Sequence, residues 1–207
     1  MTPRSYTLGR RAATSTATRH RILDATLELY REVGIGATTL TAVAERADVS
    51  RGTVLNHFGS TEGLLGATMD RILETLDLPN DSIFEGLASR DDRIRAYVAA
   101  MIAFQQHSSH LWPIFEHELQ RPEVAQREAN YWAAVARLQA TALGEGLASD
   151  ARANATLTSV IHPATVGTFL WSFERAGLDP ELALPLLGEF AVDAVRRVAA
   201  DAEATTA

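Results

Sequence analysis

The chain has 207 residues, 46% hydrophobic and 22% charged, a balance typical of a globular protein with its own core. It has no cysteine, which excludes a disulfide framework, a thiolate metal site and a cysteine nucleophile. No apolar run approaches the roughly 20 residues that span a bilayer, and the arginine-bearing start leads into Ala, Thr and Ser rather than a signal core. We therefore expect a cytoplasmic protein with no membrane partner.

The net charge of -7 is divided unevenly along the chain. Residues 1–66 carry eight arginines against six acidic residues, whereas the remainder carries eleven arginines against twenty acidic residues, and there is no lysine. We predict residues 1–17 to be a flexible basic arm, which is either only solvated or contacts nucleic acid at the backbone or minor groove. Five arginines precede Ile22 with no acid among them: Arg4, Arg10, Arg11, Arg19 and Arg21.

The next segment predicts three short helices. Apolar residues recur at helical spacing from about Thr18 to Val33, and Gly34 is a typical stop. The stretch Thr38–Phe58 reads TTLTAVAERADVSRGTVLNHF, in which a second apolar stripe ends near Asp48 and Ser50 is a good N-cap for another helix. This pattern is helix, tight turn, helix.

Polar side chains occupy the predicted outer face of the last of these helices. Arg51 and Asn56 lie opposite the apolar side of the helix, and such side chains suit guanine and adenine edges in a DNA major groove. Ser50, Thr53 and His57 can donate to phosphate oxygens. The helix is therefore predicted to read DNA.

Many positions at fixed spacing support a more specific interpretation. They are Thr18, Arg21–Ala25, Gly34, Thr38, Thr39, Val43, Ala44, Ala47, Val49, Ser50, Gly52, Thr53, His57, Phe58, Ser60, Leu64 and Leu65. With these residues, the first third of the chain resembles the tetracycline-repressor-like (TetR) family of transcriptional regulators. The resemblance implies DNA contacts from Thr39, Ser50, Arg51, Gly52, Thr53, Asn56 and His57.

Three residues depart from the pattern of that family. Asp48 stands where the family usually has glycine, Leu55 where it usually has a phosphate-contacting tyrosine, and Thr61 where it usually has lysine. These departures concern contacts to the DNA backbone rather than the fold.

Beyond the helix-turn-helix, apolar periodicity and capping residues predict an all-α chain without strands. Residues 18–66 are predicted as the DNA-binding domain and residues 67–207 as a helical ligand-binding and dimerisation domain. The later helices are expected from Ser60 to before Pro79, from a Ser89–Asp92 capping box onward, over Leu111–Leu119, from Pro122 to a stop at Gly144 and Gly146, and over about Ala153–Ala176 and Pro180–Asp201.

The last two predicted helices carry apolar stripes with small residues, which either fill the core of one chain or join two chains. We favour a homodimer, because paired half-sites of an inverted-repeat operator require paired recognition helices, and the resemblance implies the same. The predicted interface residues are Ala164, Gly167, Trp171, Leu187, Phe190 and Ala194.

Aromatic residues recur through the second domain, where they are either core filling or the wall of a ligand pocket. The resemblance implies a pocket among these helices, and its apolar lining and acidic surroundings favour a largely apolar, neutral or cationic small-molecule effector. The candidates are Phe104, His107, Trp112, Phe115, Tyr131, Trp132 and Trp171.

No nucleophile elbow or phosphate-cradling glycine loop occurs, and we expect neither an enzyme nor a cofactor. His107, His110 and His117 lie close in sequence, but without a second such pair we predict no metal site. The interpretation is a DNA-binding regulator, most simply a repressor released by its effector. The alternative is a helical ligand- or protein-binding module that has lost DNA binding.

Overall fold

The structure, a computed structural model, describes residues 4–111, 114, 118, 120–165 and 175–206. This part of the chain contains α-helices, one short 3₁₀ helix and no strand, as the periodicity predicts. The helices are α1 (Arg4–Val33), α2 (Leu40–Arg46), α3 (Arg51–Phe58), α4 (Thr61–Thr75), α5 (Arg90–Ser108), α6 (Pro122–Leu143), α7 (Ala151–Thr165) and α8 (Pro180–Thr206), and the 3₁₀ helix covers Asp81–Phe84. Within the same residues, every helix is too short or too polar to cross a lipid bilayer.

The chain divides into two compact units. The first comprises residues 1–75 and 112–128, and the second comprises residues 76–111 and 129–207. The first unit thus extends beyond the boundary predicted after residue 66. Part of the reason is Arg127 of α6, which donates two hydrogen bonds of 2.8 Å to the carboxylate of Asp70 on α4.

The core of the first unit joins α1, α2, α3 and the start of α4. Ile22, Val43 and Val54 are each 0% exposed, and Leu64 closes the core from α4. Thr26 is also fully buried, and its hydroxyl is satisfied by donating to the carbonyl of Ile22 at 2.7 Å. The apolar spacing that predicted these helices therefore describes one shared core.

The first helix begins earlier than the start predicted near Thr18, within the segment predicted as a flexible arm. The described residues 4–17 are helical and continue into the part of α1 that carries the core, and residues 12–17 are exposed. Adding residues to an existing helix costs much less than nucleating one, and no proline interrupts the chain between Arg4 and Thr18. The absence of apolar periodicity therefore indicated exposure rather than a missing helix.

The second unit packs α5, α7 and α8 together with the later part of α6. Ile94 and Val98 of α5 are 0% exposed, and Leu157 of α7 and Val195 of α8 meet them in the same core. Bonds at the ends of the helices fix their positions, among them a hydrogen bond of 2.9 Å from Nε of Arg90 to the carbonyl of Leu143.

Ion pairs and caps complete this unit. Arg95 of α5 donates to both carboxylate oxygens of Glu189 on α8, and this lowers the pKa of Glu189. Ser89 accepts a hydrogen bond from the amide of Asp92, so the predicted cap of α5 is confirmed. Pro122 begins α6 and Gly144, at φ +72°, follows its end, as the sequence predicts.

Candidate functional site

The turn between α2 and α3 sets the position of the predicted recognition helix. The amide of Val49 donates to the carbonyl of Ala44, and the amide of Asp48 donates to that of Glu45, which is the Schellman arrangement at a helix end. Asp48 sits at the left-handed position of this turn, with φ +51°. The conformation explains why glycine is usual there in the family that the sequence resembles.

Hydroxyl groups cap both helices of the motif and remain able to contact a phosphate. Thr39 accepts from the amide of Ala42 at 3.1 Å, which leaves its own hydrogen available. Ser50 accepts from the amide of Thr53 at 3.0 Å, and the two hydroxyls share a further bond of 2.9 Å. Only one of those two hydroxyls donates within the pair, so the other can donate outward.

The two faces of α3 differ as predicted. Val54 is fully buried in the core, whereas Arg51, Gly52 and Asn56 are exposed. Among the residues that the structure describes, neither Arg51 nor Asn56 has an ion-pair or hydrogen-bond partner. His57 is half-buried at the end of the helix. The two predicted base-reading side chains are therefore available to a ligand outside the protein.

Side chains of α1 contact both helices of the helix-turn-helix, α2 and α3. Arg46 of α2 pairs with Glu32 at 2.7 Å and with Glu28 at 3.2 Å, and its hydrogen bond lowers the pKa of Glu32. The guanidinium of Arg19 lies 4.6 Å from the ring centre of Phe58, a cation–π contact. Arg19, one of the five N-terminal arginines, thus packs against α3.

A cleft of about 90 Å³ lies within the first unit, beside the start of α2. Thr39 and Leu40 line one part of it, and Arg121 and Glu62 line another. Tyr30 also lines it, and burial raises the pKa of that phenol to about 12. Of the predicted effector residues that the structure describes, none lines this cleft.

A second, smaller cavity of about 20 Å³ lies in the second unit. Of the predicted ligand residues, Tyr131 and Trp132 line it, and Phe104 stacks behind Tyr131 with 6.0 Å between ring centres. His107 is exposed and lies outside the cavity wall. The side chains of Trp112, Phe115 and Trp171 lie outside the described residues. The described residues of the wall are Tyr97, Met101, Gln105, Tyr131, Trp132, Val135, Gln139, Thr158 and Ile161.

Several wall residues were not among the sequence candidates, although helical spacing could have found them. Tyr97, Met101 and Gln105 follow one another at intervals of four on α5, and Val135 and Gln139 follow Tyr131 in the same way on α6. Continuing from Tyr131 at intervals of four would have located Val135 and Gln139, and Met101, one turn before Phe104, leads to the row on α5.

The predicted interface residues separate into buried and exposed groups. Phe190 of α8 is 62% exposed and Ala194 is half-buried, whereas Leu187 belongs to the core of its own unit. Leu182 and Leu186, at 68% and 50% exposure, continue the exposed line from Phe190 at intervals of four. Leu187, also predicted for the interface, is 8% exposed, and the exposed stripe lies one position away on the helix. The side chains of Ala164, Gly167 and Trp171 lie outside the described residues.

No group of three metal-ligating side chains converges anywhere in the described ranges. His107 and His110 are both exposed there, and the side chain of His117 lies outside those ranges.

Among the described residues, this geometry defines an all-helical protein in which a capped helix-turn-helix is followed by a second helical unit. Residues 22–68 match the family model described as bacterial regulatory proteins, tetR family. This segment of the chain therefore belongs to the TetR family.

Relatives of known name match only part of the chain. The regulator BetI of Burkholderia lata is 44% identical over 85 residues, which make up 40% of this chain and 43% of that protein. BetI of Paraburkholderia xenovorans is 40% identical over 93 residues, which make up 44% of this chain and 47% of that protein. The chain therefore matches less than half the length of these relatives.

Solved structures extend the likeness in fold to most of the chain. The flavonoid-responsive regulator FrrA has a TM-score of 0.65 at 24% identity, over 88% of this chain and 97% of that one. NalD, the secondary repressor of the MexAB-OprM multidrug efflux pump in Pseudomonas aeruginosa, has a TM-score of 0.59 at 21% identity, over 87% and 97%. At such identities the likeness concerns the fold.

Proposed function

We propose that the chain is a homodimeric DNA-binding transcriptional regulator, a repressor that releases its operator when a small molecule binds in the second unit. The single observation that carries the DNA-binding part is the exposure of Arg51 and Asn56, without partners among the described residues, on a helix anchored by the buried Val54. An arginine and an asparagine held in this way match the hydrogen-bonding edges of guanine and adenine.

Hydroxyls around the same helix supply the expected contacts to the DNA backbone. Thr39 and the Ser50–Thr53 pair each retain a donor after capping their helices. His57 adds a further donor at the end of α3. Such contacts position a protein on the duplex without selecting a sequence, so we assign these residues to affinity and Arg51 and Asn56 to specificity.

A gel shift with the DNA upstream of the protein's own gene tests this function. The unmodified protein should bind one site in preference to unrelated DNA. Arg51→Ala should weaken binding by about 1–3 kcal/mol and relax the preference at one base pair, whereas His57→Ala should weaken binding to all sequences alike. Arg137→Ala is a matched control, since Arg137 is also exposed but lies on α6 in the other unit.

If the folded protein showed no preference for any DNA sequence, the result would instead favour the alternative, a ligand- or protein-binding module that does not bind DNA. Equal and sequence-blind losses in Arg51→Ala and His57→Ala would contradict the division between specificity and affinity.

We assign dimerisation to α8 because its exposed stripe is apolar. Leu182, Leu186 and Phe190 follow one another at intervals of four, so all three lie along one side of the helix. Contiguous exposed apolar side chains of this size mark a surface that is covered in the working protein. A second copy of α8, related by a two-fold axis, is the occupant that would place two recognition helices on an inverted repeat.

The effector role of the second unit rests on its cavity. NalD and FrrA, which share the fold, are named as a repressor and as a flavonoid-responsive regulator. The cavity wall in this chain is mainly aromatic and aliphatic, which suits a largely apolar compound. A compound that lowers DNA affinity should itself bind more weakly in the presence of operator, by the same factor.

A further inference from the structure

Among the residues that the structure describes, the wall of the cavity in the second unit has hydrogen-bonding groups but no carboxylate, imidazole or guanidinium. Gln105, Gln139 and Thr158 are its neutral polar side chains other than tyrosine. Burying a charge without a counter-charge costs much more than burying a hydrogen-bonded neutral group. A ligand enclosed by this wall is therefore favoured if it is uncharged.

Gln139 is fully engaged with the protein. Its Nε2 donates to the carbonyl of Asn154 at 2.6 Å, and its Oε1 accepts from the hydroxyl of Tyr97 at 3.4 Å. These bonds tie the amide to α7 on one side and to α5 on the other. Gln139 thus supports the wall and orients Tyr97.

Gln105 differs, because only half of its amide is used. Its Nε2 donates to the hydroxyl of Tyr131 at 2.9 Å, which sets the orientation of the side chain. Its Oε1 has no donor among the described residues, although the side chain is half-buried and lines the cavity. An amide oxygen on a half-buried side chain that lines a cavity can accept a hydrogen bond from a ligand in place of water.

The aromatic walls are unequally enclosed. Tyr97 is 1% exposed and Tyr131 8% exposed, whereas Trp132 is 44% exposed. A cavity of about 20 Å³ holds roughly one water molecule, so a larger ligand requires one wall to move. Trp132 is the most exposed of the three and contacts Tyr131 edge to face at 5.2 Å between ring centres, so it is the aromatic wall that can move at the least loss of packing.

We propose that this cavity binds an uncharged aromatic compound with a hydroxyl or N–H group, which donates to Oε1 of Gln105 while its ring packs against Tyr131 and replaces Trp132. The inference rests on the proposed function, because it takes this cavity as the effector site, and it names the class of ligand.

Equilibrium dialysis of the full chain without DNA tests the inference with matched probes. 2-Naphthol and 2-methylnaphthalene have similar shape, but only the first donates a hydrogen bond. A net hydrogen bond of about 0.5–1.5 kcal/mol corresponds to roughly 2- to 13-fold tighter binding of 2-naphthol. The charged probes 2-naphthoate and phenyltrimethylammonium should bind more weakly than 2-methylnaphthalene.

Gln105→Leu keeps the size of the side chain and removes its acceptor, so the ratio of the affinities for 2-naphthol and 2-methylnaphthalene should fall to about one. Gln105→Met is a second variant of this kind, and Gln106→Leu, at the exposed neighbouring position, should keep the preference. Circular dichroism confirms that each variant is folded.

A preference that survives in folded Gln105→Leu and Gln105→Met would overturn the inference, as would tighter binding of either charged probe or no saturable binding of the naphthalenes. The dialysis contains no DNA, so a folded protein that ignores DNA but shows the Gln105-dependent preference contradicts the proposed function alone.

Discussion

Asp48 is the position where one substitution should stabilise the helix-turn-helix. Its φ of +51° is left-handed, which costs an L-residue roughly 1–2 kcal/mol, with aspartate toward the low end. Glycine avoids that cost but loses roughly 0.5–1 kcal/mol more backbone entropy on folding. Asp48 is exposed, so its side chain gives up no core packing. The difference predicts that Asp48→Gly raises the free energy of unfolding by up to about 0.5 kcal/mol.

Urea denaturation followed by circular dichroism measures this gain, which should appear as a higher midpoint at unchanged slope. Asp48→Asn removes the charge but keeps a side chain that tolerates the left-handed conformation, so its stability should stay close to that of the parent. Asp48→Val should be destabilised, because a β-branched side chain fits this conformation poorly. If asparagine gave the same gain as glycine, the charge and not the backbone would be responsible, and a neutral Asp48→Val would refute the reasoning from φ.

Three further predictions concern the arm, the interface and the cavity. Deleting residues 1–16 should weaken DNA binding and flatten its dependence on salt by roughly 0.9 for each phosphate that the arm neutralises; an unchanged slope in titrations from low to high salt would mean that the helical arm stays off the DNA. Phe190→Glu should give monomers by light scattering while Val33→Glu, also at an exposed apolar position, should not; a Phe190→Glu dimer would place the interface elsewhere. Burial raises the pKa of Tyr131 from 10.0 to about 12, so the folded state holds the phenol proton more tightly than the unfolded state does. The contribution of this group to the free energy of unfolding is therefore fully present below pH 10 and decreases as the pH rises toward 12. Between pH 10 and 12, the free energy of unfolding of Tyr131→Phe should fall by about 1.4 kcal/mol per pH unit less than that of the parent, as measured by urea denaturation at pH 9 and 11.5. An equal alkaline loss of stability in both proteins would contradict that pKa.

The helix-turn-helix could be predicted well because its signals are local. Thr39 and Ser50 each cap a helix within three residues of the amide they bind, and Gly34 stops α1 by its own backbone conformation, φ +82°. Apolar spacing then placed Val54 on the buried side of α3. Each of these features depends on residues that are near one another in sequence.

The cavity and the stripe on α8 could be predicted only in outline, since both depend on how separate helices pack. Tyr131 and Phe104 are equally aromatic, yet one lines the cavity and the other fills the space behind it. Leu186 and Leu187 are adjacent and identical in type, but a rotation of one position along the helix exposes the first and buries the second. Periodicity gives the faces of a helix without giving the partner of each face.

The apolar line along α8 also determines how this protein should behave on dilution. If two copies cover Leu182, Leu186 and Phe190 for each other, folding and association are linked by mass action, and the apparent melting temperature rises with protein concentration. At protein concentrations near the dissociation constant of the dimer, the amount of regulator would control its own stability as well as its occupancy of DNA. In a cell that makes few copies, the protein would then be less stable, and its exposed apolar helix face would be accessible to proteases and to unrelated chains.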